Sequence, residues 1–350
     1  MTIERRNFLK GTLAGTAGAL LVGGCGNDRA RTTCNRNIRD AHRGSIFALA
    51  IDPSGTLLAS GSGDNLIKLW RLPDGALLTT LAGHTLEVVA LAISPDGTLL
   101  ASGSHDQTVK VWRLADGALL ATLVGHTLPI AGLAFTPDGQ MIASGSEDMT
   151  LKLWNVADGT LLATLVGHTQ MVTSLAISPD GTLLVSSSED QTMNLWSLPT
   201  GALVKTIPLN LGWANSMVFS TDGTTLVTGG DNDGDAVILW TMSDGSPTKV
   251  MKGHLSEIQA VAMTPDKSLV ASGSLDKTIR LWRTSDGSVE KVIEDHANFI
   301  NALAMTPDGK LLVSGSTDRS IRLWHLPSGS YEGSASDPAL PVQTVVSFTC

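Results

Sequence analysis

Seven tryptophans recur along this chain at a nearly constant interval. Successive members of the series are 42 residues apart, with one interval of 44, and the series consists of Trp70, Trp112, Trp154, Trp196, Trp240, Trp282 and Trp324. Five of them end almost the same tetrapeptide, as at residues 67–70 and 321–324. A period of this length is typical of repeated units, none of which can bury its hydrophobic face alone. The units must therefore stack on one another.

Each unit has the pattern of a small antiparallel sheet. In residues 84–125, short apolar runs are separated by the turn sequences 94–97 and 115–117, in which Pro, Asp and Gly each favour a turn. The apolar runs predict four strands, at residues 88–93, 99–104, 109–114 and 118–124. No helical period interrupts them, so the pattern predicts an all-β fold.

Composition excludes several classes of protein. The chain has 350 residues, of which 42% are hydrophobic and 16% are charged, as in ordinary globular proteins. Its net charge of −9 argues against nucleic acid as the main partner, because phosphate binding needs a basic face. Three cysteines cannot make a disulfide scaffold.

Six units also share a His, a Ser and an Asp at fixed distances from each other and from the Trp. The Asp follows the His by 22 residues, and the Ser precedes the Trp by 10. The six quartets are His42, Ser60, Asp64 and Trp70; His84, Ser102, Asp106 and Trp112; His126, Ser144, Asp148 and Trp154; His168, Ser186, Asp190 and Trp196; His254, Ser272, Asp276 and Trp282; His296, Ser314, Asp318 and Trp324.

Together with Gly-His pairs such as Gly83-His84 and Gly125-His126, these quartets make residues 42–336 resemble the WD40 repeat family. The resemblance implies a closed seven-bladed β-propeller with four antiparallel strands per blade. One departure is that no unit has an Asp after the Trp. The family also implies a monomeric propeller that binds other proteins.

Ser, His and Asp also build hydrolase active sites, but here a structural role is the better interpretation. A buried indole N–H needs an acceptor, which the Ser hydroxyl provides while it donates to His, and His donates to Asp. Six near-identical copies favour architecture over a single active site. No catalytic, phosphate-binding or metal-ligand motif occurs, so we expect no enzyme activity, no cofactor and no metal. The alternative is an enzyme or a propeller of the cell envelope that binds a small ligand or a metal.

The fifth unit deviates from the others. It has Leu209 and Asn210 at the Gly-His place, Thr228 where the others have Ser, and a longer turn at residues 231–235. We interpret this segment as a lengthened polar turn. Calcium binding is the less favoured alternative, because an EF-hand loop would need a Glu at its twelfth position, where Met242 stands.

The WD40 resemblance also suggests where a partner binds. Family partners usually contact the face made by the loops before the first strands and the turns after the second strands. We expect three positions per unit to point outward there: the third and fifth residues after the His place and the residue before the Asp. The candidate binding residues are Phe47, Glu87, His105, Glu147, Met171, Glu189, Trp213, Glu257 and Phe299. The remaining positions are Ser45, Gly63, Val89, Pro129, Ala131, Thr173, Asn215, Asn232, Gln259, Leu275, Asn301 and Thr317.

These 21 positions include four Glu, three aromatic residues and neither Lys nor Arg. Acids around aromatic rings suit a partner that presents Lys or Arg beside an apolar group. Phe47 and Phe299 are expected to be neighbours where the ring closes. The alternative, that both rings pack under adjacent loops, is equally compatible with the sequence.

The first residues resemble an export signal. Arg5, Arg6, Phe8, Leu9 and Lys10 match the twin-arginine pattern, which directs the export of folded proteins. The uncharged run 11–24 would span about 21 Å as a helix, too short for a bilayer core of ~30 Å. The run ends at Cys25 in a sequence similar to a bacterial lipobox, which implies lipidation of Cys25. Simple cleavage and release is the alternative.

These observations divide the chain into four parts. Residues 1–24 are the signal, 25–41 a lipid-anchored tether, 42–336 the propeller and 337–350 an extension that has the pattern of a strand. The expected location is the bacterial envelope, on the outer side of the cytoplasmic membrane or in the periplasm or outer membrane. The lipid anchor would be the only membrane contact.

Two questions about ring closure stay open. The last blade needs one more strand, which residues 330–336 or residues 34–39 could supply. The docking place of residues 340–350 is not determined. Cys34 and Cys350 are the thiols left after lipidation, and export would place them where disulfides persist. We hypothesise that they bond to each other.

Overall fold

The computed structural model describes residues 34–326, except residues 73, 210–211 and 233–234, together with their side chains apart from those of residues 34–36 and 232. The predicted signal, Cys25, the extension with Cys350 and the candidate strand 330–336 lie outside this part. All regular elements of the described residues are strands, and they form seven four-stranded antiparallel sheets. No helix of these residues is long and apolar enough to cross a membrane.

Each sheet is one blade, and its strands follow chain order from the centre outward, except in blade seven. The inner strands are β2 (Ile46–Ile51), β6 (Val88–Ile93), β10 (Ile130–Phe135), β14 (Val172–Ile177), β18 (Gly212–Phe219), β22 (Ile258–Met263) and β26 (Ile300–Met305). The second strands are β3 (Leu57–Ser62), β7 (Leu99–Ser104), β11 (Met141–Ser146), β15 (Leu183–Ser188), β19 (Thr225–Asn232), β23 (Leu269–Ser274) and β27 (Leu311–Ser316).

The third strands are β4 (Leu66–Arg71), β8 (Thr108–Arg113), β12 (Thr150–Asn155), β16 (Thr192–Ser197), β20 (Val237–Thr241), β24 (Ile279–Arg283) and β28 (Ile321–His325). The outer strands of blades one to six are β5 (Ala76–Ala82), β9 (Leu119–Val124), β13 (Leu161–Val166), β17 (Ala202–Pro208), β21 (Ser246–Met251) and β25 (Val289–Ile293). In the second unit the two inner strands agree with prediction, whereas the third strand begins and ends one residue earlier and the outer strand begins one residue later.

The inner strands form a closed ring. Each packs against the inner strands of both neighbouring blades, and the contact of β26 with β2 joins the last blade to the first. The prediction of an all-β, closed seven-bladed propeller with four antiparallel strands per blade is confirmed. We call the side with the loops that lead into the inner strands the upper face, and the opposite side the lower face.

Neighbouring blades interlock through a small residue and a large one. At most blade junctions a second-strand glycine faces the first apolar residue of the next inner strand. A Cβ on Gly103 would lie only 2.5 Å from Ile130 Cγ2, and one on Gly61 only 2.8 Å from Val88 Cγ1. Since such distances are too short for real contacts, only glycine allows the blades to pack this closely.

The junction between blades four and five uses a different pair. Ser187 takes the glycine position, and Ala214 takes the position of the large apolar residue. The backbone N–H of Ala214 donates a hydrogen bond of 2.9 Å to Ser187 Oγ. The larger Ser thus faces the smaller Ala, and the contact becomes polar. This junction therefore differs chemically from its neighbours.

Blade seven is completed by the segment that precedes blade one. Its outer strand is β1 (Cys34–Ile38), which pairs antiparallel with β28. Of the two candidate segments for the missing strand, the front one is used, so residues 34–38 belong to the propeller and not to the tether. Further contacts fix the closure: Ala41 N–H donates to the Arg319 carbonyl at 3.0 Å, and Arg319 pairs with Asp40 at 3.0 Å. Residues 34–38 contain few apolar residues, and they form a strand because they pair with β28 where the ring closes.

Candidate functional site

The structure assembles all six predicted quartets, each of which connects the Trp near the lower end of the third strand, through the Ser of the second strand, to the His and Asp in the loops at the upper end of the blade. In each, Trp Nε1–H donates to Ser Oγ at 2.8–2.9 Å. Ser Oγ lies 2.7–2.8 Å from His Nε2. His Nδ1 lies 2.8–3.1 Å from the Asp carboxylate. These distances fit a chain in which Trp donates to Ser, Ser to His, and His to Asp.

The aspartate of each quartet also joins two loops. In blade two, Asp106 Oδ2 accepts the backbone N–H of Thr85, in the loop before the inner strand, at 3.0 Å. Its Oδ1 accepts the N–H of Thr108 at 3.0 Å and so closes the turn after the second strand. Between them Gln107 has a φ of 71°, a conformation that residues other than glycine adopt rarely. One carboxylate thus holds both loops of the blade's upper end.

Electrostatics favour ionised aspartates, and burial favours the neutral form of two of the quartet histidines. Burial alone would raise the pKa of Asp64, but the hydrogen bond and charge interaction with His42 and the N–H groups of Arg43 and Leu66 outweigh it. The pKa of Asp64 therefore falls to about 2. Burial lowers the pKa of His168 and His296 below 6.5, although their aspartates act in the opposite direction. Neutral His can accept from Ser and donate to Asp, as the geometry requires.

The quartets have no group free for nucleophilic chemistry. The six serines are fully buried, and each hydroxyl is shared between Trp and His. A nucleophilic serine needs an exposed Oγ beside a substrate and an oxyanion site. The hydrogen bonds of the quartet instead give each buried polar group a partner. Loss of such a partner destabilises the folded protein.

Blade five keeps part of this arrangement. Trp240 Nε1–H donates to Thr228 Oγ1 at 2.9 Å, so threonine replaces the quartet serine. The two residues of the longer turn change the Ser–Trp spacing from 10 to 12. Pairing of β18 with β19 extends to Trp213 and Asp231 and to Gly212 and Asn232, which lengthens this hairpin toward the upper face. Of the described residues, no group of three or more His, Cys, Asp or Glu is arranged to hold a metal ion; residues 233–234 of this turn lie outside them.

A second serine, missed by the sequence analysis, supports each quartet except in blade five. Ser104 Oγ accepts the N–H of the quartet residue Asp106 at 3.0 Å and donates to the Leu86 carbonyl at 3.1 Å. The equivalent residues are Ser62, Ser146, Ser188, Ser274 and Ser316. Their signal was present in the sequence as a Ser two residues after each quartet Ser.

Several positions predicted to face outward are buried. The fifth residue after the His place in blades two to six is at most 6% exposed: Val89, Ala131, Thr173, Asn215 and Gln259. Inner strands crowd around the axis, so these side chains contact the neighbouring blade. Thr173, Asn215 and Asn301 donate hydrogen bonds of 2.7, 3.2 and 2.9 Å to a backbone carbonyl of the next inner strand. These residues join blades together.

The candidate aromatic residues take different positions. Phe47 is half-buried against the apolar cluster that includes Val89 and Ala131, so its ring packs toward blades two and three. Phe299 is 40% exposed. Trp213 is half-buried, and its Nε1–H donates to Asn215 Oδ1 at 2.9 Å. Packing under a neighbour thus describes Phe47, while Phe299 offers apolar surface.

The candidate acids form an arc across blades two to four. Glu87 pairs with His105, with 3.0 Å between Oε2 and Nδ1. Burial, and then repulsion from Glu189, raise the pKa of Glu147 above 4.5, although His105 acts in the opposite direction. Farther around the ring, Glu257 Oε2 accepts a hydrogen bond of 3.3 Å from Gln259. Met171, in the loop before the inner strand of blade four, is half-buried. This part of the upper face has excess negative charge.

Comparison with known families agrees with this geometry. The family model of the WD40 repeat (WD domain, G-beta repeat) matches six segments that together cover more than half of the chain: residues 33–71, 75–113, 117–155, 159–197, 245–283 and 287–325. The chain belongs to the WD40 repeat family. The first three strands of blade five lie between matched segments, in line with its altered quartet. A model of the twin-arginine translocation pathway signal matches residues 2–22.

Curated relatives share single repeats with this WD40 protein. Subunit I of eukaryotic translation initiation factor 3 from Neurospora crassa is 51% identical over 39 residues, 11% of each chain. Nuclear distribution protein nudF 2 from Penicillium rubens is 47% identical over 49 residues, 14% of this chain and 11% of its own. A probable serine/threonine-protein kinase, PkwA of Thermomonospora curvata, is 55% identical over 38 residues, 11% of this chain and 5% of its own. The matches thus span about a tenth or less of these relatives.

These findings establish a general role. A WD40 propeller implies a scaffold for protein interactions, and the twin-arginine signal indicates export across the cytoplasmic membrane.

Removal of one quartet serine should measure what the quartet contributes. Ser102→Ala leaves the Trp112 N–H and the His84 ring nitrogen buried without their partner. We expect the free energy of unfolding to fall by about 1–3 kcal/mol. Chemical denaturation of the purified protein measures this. Thr79→Ala, an exposed change on the outer strand of blade one, is the control; equal stability of both variants would refute the structural role.

Stability should fall in two stages as the pH is lowered. His168 and His296 have lowered pKa values, so below pH 6.5 the unfolded chain binds protons that the folded chain does not. The quartet aspartates also have depressed pKa values, so stability falls again from pH 3.8 toward the value of about 2 for Asp64. Thermal unfolding midpoints between pH 7.5 and pH 3 test this. A midpoint that stays constant from pH 7 to pH 4 contradicts it.

Proposed function

We propose that this WD40 protein is a non-catalytic scaffold that binds another protein on its upper face. The partner segment presents a lysine or arginine beside an apolar group. The observation that carries this proposal is the pair Glu147 and Glu189. Among the described residues neither carboxylate forms a hydrogen bond or ion pair, and Glu189 repels Glu147, although burial and the opposing attraction of His105 have larger effects on the pKa of Glu147. A cation from a partner would relieve this repulsion.

Apolar surface lies on the same face. Phe299 is 40% exposed, and Leu255 in the loop before the inner strand of blade six is 86% exposed. Interfaces combine buried apolar anchors with charges that set orientation and specificity. A segment with a basic residue and an apolar residue would satisfy both features. The ring is complete within one chain, which supports a monomeric propeller that offers this face to a different protein.

Neutralising the two acids should weaken partner binding. We expect Glu147→Gln with Glu189→Gln to raise the dissociation constant ~10- to 100-fold, the equivalent of about 1.4–2.8 kcal/mol. The partner is first recovered from a membrane extract with the wild-type propeller and identified, and purified partner is then titrated by calorimetry.

The control removes the same charge elsewhere. Asp116→Asn with Asp158→Asn changes two exposed acids in the lower-face turns between the third and outer strands of blades two and three. We expect this variant to bind as the wild type does. If both double variants bind equally well, the upper-face site is refuted; if both lose affinity equally, net charge and not position is responsible.

We further propose that the protein is anchored on the outer side of the bacterial cytoplasmic membrane through a lipidated Cys25. The twin-arginine match ends at residue 22, and Cys25 follows the apolar run at the position where a lipobox has its cysteine. From Cys25 to β1 the chain could extend about 30 Å. The propeller would therefore stay close to the membrane while its upper face binds a partner.

Mass spectrometry of the mature protein tests the anchor. The expected N-terminal residue is Cys25 with acyl groups attached, and the protein should fractionate with membranes. Cys25→Ser should move it to the soluble fraction of the envelope. A mature N-terminus at another residue, or an unmodified Cys25, would overturn lipidation without affecting the proposed partner site.

A further inference from the structure

The outer edge of β1 is open in the described structure. β1 is the last strand of blade seven, and none of the described strands pairs with its outer side. An edge strand presents backbone N–H and C=O groups that can accept one more strand. In its pairing with β28, Cys34 lies opposite Trp324 and Ile38 lies opposite Ile321. Cys34 is therefore at the lower end of β1 and Ile38 at the upper end.

The chain leaves the described structure next to this edge. β28 runs toward the lower face and ends at His325, so Leu326 lies near the lower end of β1. Residues 327–337 are rich in serine and glycine, whereas residues 340–350 carry no charge and include Val342, Val345, Val346 and Phe348. The second segment has the composition of a strand, and Pro341 can stand at its beginning.

We propose that residues 346–350 add to the outer edge of β1 as a fifth strand of blade seven, and that a disulfide between Cys34 and Cys350 locks it there. An antiparallel strand on β1 runs from the upper face to the lower face. With Val346 opposite Ile38, Cys350 is opposite Cys34. Directly paired residues of antiparallel strands have Cα atoms about 4.5–5.5 Å apart, within the roughly 4.4–6.8 Å that a disulfide needs.

The intervening chain is long enough for this path. Residues 327–345 must run from the lower end of β1 to its upper end, and a strand of 5 residues rises about 17 Å. A coil of this length has a root-mean-square end-to-end distance of roughly 24 Å. The connection therefore needs neither stretching nor a long excess loop.

Other outer strands are also open, but they suit this segment less well. β5, β9 and β13 carry no charged residue, and they expose leucines such as Leu77 at 50% and Leu162 at 51%. They belong to other blades, so reaching them would extend the path from Leu326. None of the three contains a cysteine. β1 alone among the described outer strands combines the chain exit with a thiol-bearing residue.

The disulfide step requires an oxidant of the exported compartment. The two thiols of Cys34 and Cys350 lose two protons and two electrons, and the S–S bond forms. A thiol-oxidising protein disulfide accepts the electrons and is reduced to two thiols by thiol–disulfide exchange. Because the twin-arginine route carries folded proteins, the fold must bring the two cysteines together before oxidation. Strand addition provides this proximity and does not depend on the proposed partner site.

The test uses the full mature chain recovered from the exported fraction of its native host. Non-reducing digestion and mass spectrometry should show a peptide pair that joins Cys34 to Cys350. Hydrogen exchange then compares this chain with Cys350→Ser and with a chain that ends at residue 339. We expect exchange of the amides at residues 34–38 to become at least tenfold faster in the shortened chain, and Cys350→Ser to keep part of the protection under reducing and oxidising conditions alike.

Each result decides one part of the proposal. Free thiols at both positions, a bond from Cys34 to Cys25 or a bond between two chains would overturn the disulfide. Unchanged exchange of β1 in the shortened chain would overturn strand addition. Loss of protection at β5, β9 or β13 instead would place the segment on another blade and refute the assignment to β1. Cys350→Ser retains the whole segment, so it separates loss of the covalent bond from loss of the strand.

Discussion

A small four-stranded sheet has two faces to bury, and this requirement governs the whole structure. Strands of five to eight residues cannot make a core within one blade, so the apolar side chains of each blade pack against both neighbours. The close approach depends on glycines such as Gly103 and Gly273, which face Ile130 and Ile300 of the next blade. Closure of the ring by β26 and β2 then leaves no blade with an exposed face. The quartets act within this frame and hold the loops at the upper end of each blade.

The boundaries of the sequence repeats do not coincide with the boundaries of the blades. Each matched segment supplies the outer strand of one blade and the first three strands of the next, as residues 33–71 contain β1 to β4. Six of the seven pairs of neighbouring blades are thereby joined by a matched segment, and blades four and five are joined by residues 202–241, which lie between two such segments. The first repeat also provides the strand that blade seven lacks, which makes the two ends of the described chain neighbours. The same arrangement places the exit of the chain beside the open edge of β1.

Blade five departs from the other blades both at its junction with blade four and in its quartet and hairpin. Ser187 and Ala214 replace the glycine and the large apolar residue at its junction with blade four. Its quartet is reduced to Thr228 and Trp240, while its hairpin extends toward the upper face. The polar inter-blade bonds of Thr173 and Asn215 lie in the same region. Departures from the repeat therefore concentrate where the upper face is also most irregular.

Most of the fold was predictable because its signals are local and repeated. Apolar runs, turn residues and the spacing of His, Ser, Asp and Trp recur six times, so chance variation at one copy is outweighed by the others. The upper face was less predictable. Val89, Ala131 and Gln259 were expected to point outward, yet they are buried because the inner strands of adjacent blades converge at the axis. The supporting serines such as Ser104 were visible in the sequence but acquire a role only when two loops meet.

By itself, the sequence determined the number of blades, the strands within them and the residues of each quartet, since these depend on spacing along the chain. Only the tertiary structure decided that residues 34–38 close the ring. Their strand pairs with a strand almost 300 residues away in the sequence, as Cys34 does with Trp324, and no local pattern contains both. The tertiary structure also decided that Phe47 packs toward blades two and three while Phe299 is exposed. Burial of a side chain at a junction depends on two blades at once, and the pattern of one repeat contains only one of them.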